Sequence, residues 1–69
     1  MTTYAVIYEP AADGSWSARA ADLPVYAVGD SREEAEREIR SAIAVHLDHL
    51  VESGQPTPVG LSAVGTVTL

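Results

Sequence analysis

The chain contains no cysteine, no phenylalanine and no lysine, and has a single tryptophan among its 69 residues. Without cysteine there is no disulfide framework, no thiolate nucleophile and no Cys-based zinc or iron–sulfur site, which agrees with a reducing compartment. Positive charge is scarce: four arginines face ten acidic residues, for a formal net charge of −6. Nucleic acid phosphates are repelled by such a surface and counterion release cannot drive binding, so direct nucleic acid contact is not expected and a basic protein is the better partner. The plainer role of an acidic surface is to keep a small protein soluble. Long apolar runs are missing too. No stretch approaches the roughly 20 residues of a membrane helix, and Met1-Thr2-Thr3-Tyr4 lacks the basic and apolar regions of a signal peptide. The expectation is one cytoplasmic domain over residues 1–69 with no membrane contact. A chain this short buries about 60% of its unfolded surface, so its own core supplies only a few kcal/mol and self-association or a partner helps.

What is present falls into an α+β pattern, β-β-β-α-β. Thr3 to Glu9 is rich in aromatic and β-branched residues and predicts a first strand, with Tyr4, Val6 and Tyr8 on one face and Ala5 and Ile7 on the other. Asp13-Gly14 supplies turn chemistry, so Ser15 to Ala20 folds back antiparallel with Trp16, Ala18 and Ala20 on one side. Asp22-Leu23-Pro24 stops the ladder, because proline has no N–H to donate, and a short third strand follows from about Val25 to Val28. Ser31 and Glu34 form a capping-box pattern after Gly29-Asp30. The helix they start carries Ala35, Ile39, Ala42, Ile43, Leu47 and Leu50 at helical spacing, with Glu33 to Arg37 and Glu36 to Arg40 as i,i+4 pairs, and ends at Gly54 before Pro56. Leu61 to Leu69 has the composition of a fourth strand, with Gly65 its weak point. A helix between the third and fourth strands predicts a right-handed crossover. The economical sheet order is 3-2-1-4, with the helix across one face.

Catalysis finds no credible residue set. Glu9, Asp13 and Asp22 are carboxylates near strand ends, but they are few, and Asp13 and Asp22 sit in turns where aspartate bonds the backbone. A two-metal nuclease needs a denser carboxylate cluster. His46, His49 and Glu52 follow an i,i+3,i+6 series, yet His46 falls within the apolar helix face while the other two drift round the wheel, so they do not converge on a metal. Ser31 is explained as a cap, since no base is marked against it. The scattered glycines form no phosphate-cradling motif. No metal, cofactor or catalytic residue is expected, and the protein is not expected to be an enzyme.

The order of these signals resembles the HicB-like antitoxin family: the Tyr4-Ala5-Val6-Ile7-Tyr8 run, Asp13-Gly14 with Trp16 and Ala18, Asp22-Leu23-Pro24, Gly29-Asp30-Ser31 into Glu34-Ala35, and Ala42-Ile43. The resemblance spans most of the chain, and its specificity lies in order and spacing. One departure stands out, Val25-Tyr26 in place of the Gly-Cys that usually follows Leu-Pro in the family. The resemblance implies a truncated RNase H-like layout and an antitoxin that neutralises a small basic HicA-like mRNA-cleaving toxin by covering it. The alternative is a free-standing HicB-like domain that binds another protein or a small ligand. Many family members append a DNA-binding segment; this sequence stops at Leu69, and none is expected. Partner contact is assigned to Trp16, Leu23, Pro24, Val25 and Tyr26 and to the acidic helix face at Glu33, Glu36 and Glu52. Self-association into a dimer or tetramer is assigned to Ala44, Leu47 and Val51, which widen the apolar helix arc, and to Val67 on an uncharged terminal strand.

Overall fold

A computed structural model describes residues 3–60, 63 and 65–69 of the chain. Three strands precede one helix: β1 (Val6–Pro10), β2 (Trp16–Ala20), β3 (Tyr26–Gly29) and α1 (Arg32–Glu52). The strands form an antiparallel sheet in the order β1-β2-β3. Each lies within a residue or so of its expected place except β1, which begins at Val6 rather than Thr3.

Turn chemistry sets the register. In the β1–β2 connection, Ala11 N–H donates to the Ser15 carbonyl at 2.9 Å and Gly14 N–H to the Ala11 carbonyl at 3.1 Å. Gly14 has φ +91°, a conformation that costs glycine little and other residues much. Asp13 Oδ1 accepts from the Ser15 amide at 3.0 Å and from its hydroxyl at 2.6 Å. The resulting register pairs Tyr8 with Ala18 and Ala18 with Ala27, so Val6, Tyr8, Trp16, Ala18, Ala20 and Ala27 share one face. Between β2 and β3, Val25 N–H closes a tight turn on the Leu23 carbonyl at 2.8 Å.

Helix α1 has the expected cap. Ser31 is extended at φ −142°, and its Oγ accepts from the Glu34 amide at 3.1 Å. At the other end, Gly54 has φ +72°, and the Gln55 amide reaches back to the Leu50 carbonyl at 2.9 Å while that of Gly54 reaches Val51 at 3.1 Å. That crossed pair satisfies carbonyls the helix leaves open. On the exposed face, Arg40 pairs with Glu36 at 3.1 Å, but the expected Glu33–Arg37 pair is not formed. Both side chains are exposed, where solvation competes well with ion pairing.

The core is small. Ala18, Ala35 and Ile39 are its buried centre, with Val6, Tyr8, Trp16, Val25, Ala27 and Ile43 packed round them. Alanine at two of the three central positions lets helix and sheet approach closely. At 21 residues, α1 is about 31 Å long, whereas a five-residue strand spans about 17 Å, so the helix overhangs the sheet. It lies over β3 and β2 and touches β1 least.

The expected fourth strand falls partly outside the described residues. Leu61, Ser62 and Val64 lie outside the described residues, and Ala63 and Gly65 to Leu69 carry no strand pairing. Ahead of them, the Tyr4 hydroxyl donates to the Pro58 carbonyl at 2.5 Å. The Thr3–Tyr4 backbone passes so close to Gly60 that a side-chain carbon there would collide with the Thr3 carbonyl oxygen. The chain after the helix therefore returns to the start of β1 before its last residues.

Candidate functional site

The residues assigned to partner contact separate into three places. Leu23 is buried and Val25 and Trp16 are half-buried, the last two packed against the core, so these side chains hold the loop and the sheet. Pro24 and Tyr26 are exposed, Tyr26 at 77%. Cross-strand register puts Tyr26 opposite Arg19 on the outer sheet face, away from the helix, whereas Trp16 faces inward beside Ala18. The sheet thus separates the two aromatics. Glu33, Glu36 and Glu52 are exposed on α1. Nineteen positions separate Glu33 from Glu52, roughly 28 Å along the axis, and Glu36 and Glu52 lie on different sides of the helix, so the three do not form one contact site.

The outer sheet face carries Ile7, Arg19 and Tyr26 in one cross-strand row and Glu9, Ser17 and Val28 in the next. Arg19 pairs with Glu9 at 3.5 Å. Val28 is 57% exposed, which leaves an apolar and aromatic patch beside Tyr26. Arg32 sits 4.8 Å over the Tyr8 ring at the start of the helix. Three of the four arginines thus make a contact, and α1, with six acidic residues to three arginines, keeps a negative excess.

Sequence reasoning missed a groove of about 480 Å³ between β1 and α1. Tyr4, Val6 and Tyr8 form one wall, Ile39 and Ile43 the other, and the Glu36–Arg40 pair stands at the rim. It exists because the helix leans toward β3 and covers the inner side of β1 only in part. Part of the signal was present in Tyr4, Val6 and Tyr8, which form one apolar strand face.

The candidate chemical groups do not assemble into a reactive site. Asp13 is committed to its turn, and the hydrogen bonds from the Ser15 hydroxyl and amide hold its carboxyl below the usual range. Glu9 is paired with Arg19. His46 is half-buried and His49 and Glu52 are exposed. Among the described residues, no three histidine or acidic side chains gather as a metal site, and no helix is long and apolar enough to cross a membrane. The assigned self-association residues remain accessible to differing degrees: Leu47 is half-buried, Ala44 and Val51 are exposed, and Val67 is 87% exposed. What the surface offers is contact, acidic along the helix and aromatic on the sheet.

A family model described as HicB_like antitoxin of bacterial toxin-antitoxin system matches residues 4–68. No curated protein and no solved structure matches the chain.

Proposed function

The chain belongs to the HicB-like antitoxin family, and from that premise we propose that it binds a small basic HicA-like mRNA-cleaving toxin in the cytoplasm and neutralises it by covering its active surface. The family match over residues 4–68 carries the proposal. The acidic excess of the chain supports it, because a net charge of −6 steers a basic partner into contact. Glu33, Glu36 and Glu52 supply that field, and Tyr26 with Pro24 is the exposed part of the loop that meets the partner. Trp16, Leu23 and Val25 support the loop from beneath. Action is by occlusion, without catalysis.

The same proposal includes a truncated RNase H-like sheet of order 3-2-1-4, with the terminal segment at the edge of β1, and a homo-oligomer that uses Ala44, Leu47, Val51 and Val67. The return of Pro58 and Gly60 to the start of β1 supports that strand position. Exposed Val51, at 66%, and Val67 support the association.

Co-expression with the small basic protein encoded beside it should rescue growth, and the two should elute as one complex from gel filtration at micromolar concentration. Separate elution would favour the free-standing domain, to which the exposed Tyr26 of the departed Val25-Tyr26 pair points. The purified protein alone should neither cleave RNA with magnesium or manganese nor shift a DNA fragment from its own promoter. Cleavage lost on Asp13→Asn or Asp22→Asn would contradict the binding role.

A further inference from the structure

We propose that Asp13-Gly14 is a site of spontaneous isoaspartate formation that the folded hairpin holds closed: once the β1–β2 turn opens, the Gly14 nitrogen attacks the Asp13 carboxyl and the chain passes through a cyclic imide. The inference is independent of the toxin.

The sequence offers this chemistry at one favourable place. Asparagine is absent, and of the four aspartates only Asp13 precedes glycine; Asp22, Asp30 and Asp48 precede Leu23, Ser31 and His49. Glycine has no Cβ to shield its nitrogen from the neighbouring carboxyl, so Asp-Gly closes the ring most readily. The turn cannot dispense with that glycine, because Gly14 sits at φ +91°. Burial gives no protection either, since Asp13 and Gly14 are both exposed.

Hydrogen bonds hold both reacting groups instead. Gly14 N–H donates to the Ala11 carbonyl at 3.1 Å, and the nitrogen has to give up that proton to form the new bond. Asp13 Oδ1 accepts from the Ser15 hydroxyl at 2.6 Å and from the Ser15 amide at 3.0 Å. Those donors favour the ionised carboxyl, whereas ring closure needs the protonated acid, whose hydroxyl can leave. Opening the turn frees nitrogen and carboxyl together.

The step needs only water. As the Gly14 nitrogen bonds to the Asp13 Cγ, the amide hydrogen and the carboxyl hydroxyl depart as one water molecule. A second water then opens the imide. Attack at the side-chain carbonyl restores aspartate; attack at the main-chain carbonyl routes the backbone through Cγ, one carbon longer, and leaves the α-carboxylate free. That extra carbon falls between Pro10 and Trp16, the pair that closes the hairpin. The register set there puts the fully buried Ala18 opposite Tyr8 and Ala27. An isomerised chain therefore does not rebuild its core, and opening becomes irreversible.

Incubation in water enriched in oxygen-18 reads the site, because each ring opening places a solvent oxygen in the residue, and an isoaspartate-specific methyltransferase counts the free α-carboxylate. The whole chain is compared in buffer and in guanidinium chloride at one pH and temperature. Label and isoaspartate should appear at Asp13 in the denatured chain, and at least about tenfold more slowly in the folded one, the ratio set by a turn-opening free energy of about 1.4 kcal/mol. Ser15→Ala removes the hydroxyl donor; its folded chain, checked by helical circular dichroism, should isomerise faster than the parent, while the two denatured chains match. Purified isoaspartate chain returned to buffer should not regain the parent emission of Trp16, the sole tryptophan, which packs against the core. Equal rates for the folded and denatured parent would overturn the proposal. So would a folded Ser15→Ala chain no faster than the parent, or label concentrated at the other three aspartates. Should Ser15→Ala not fold, the comparison of folded and denatured parent decides alone.

Discussion

Gly29 shows how tightly the helix is set against the sheet. It is buried at the end of β3, and a Cβ there would lie 2.5 Å from the Ala35 nitrogen and 2.9 Å from the Glu34 carbonyl carbon, both backbone atoms that cannot swing aside. Gly29→Ala should therefore cost about 1–3 kcal/mol by forcing the helix away from the sheet, read as a lower urea midpoint with an unchanged slope. Asp13 gives a prediction of pH dependence. Its carboxyl titrates below the ordinary aspartate value in the folded chain because Ser15 donates to the ionised form. Its contribution is thus complete above the unfolded value of about 3.9 and fades as pH falls through the folded value. An NMR titration should place the Ser15 amide shift at a midpoint below 3.9, and a midpoint at or above it would contradict the turn geometry. The Asp13 turn was legible because Asp-Gly between two strand patterns has few other uses. The inward burial of Leu23 and Val25 was not, since a loop has no period from which to read which side chains turn in.

Among the elements, α1 was the most legible, because its cap, its apolar spacing and its terminating glycine all agree. Ser31→Ala removes the acceptor for the Glu34 amide and should cost about 1 kcal/mol, measurable by thermal or urea unfolding. The inward faces of β1 and β2 also followed from alternation. The lean of α1 toward β3 did not, because sequence period fixes which face of a helix is apolar but not where along a sheet that face lands. That lean creates the groove beside β1. The fourth strand is the related case: composition marks Leu61 to Leu69 as strand-forming, yet strand pairing is a property of the neighbour, and the described terminal residues have none.

For the whole molecule, charge and family membership point the same way. Four arginines, three of them engaged, leave an acidic excess along a helix that faces solvent. Association with a basic partner should slow as salt rises, because exposed charge is screened within about 10 Å at 0.1 M. Glu33→Arg with Glu52→Arg should reduce the association rate about tenfold at low salt while the dissociation rate changes little; stopped-flow or surface binding kinetics would read both. The most direct measurement is RNA cleavage by the purified basic partner as this protein is added. Occlusion predicts that cleavage falls in proportion and reaches background near equimolar protein, with the RNA-binding capacity of the toxin lost in parallel; undiminished cleavage at several-fold excess would contradict the account.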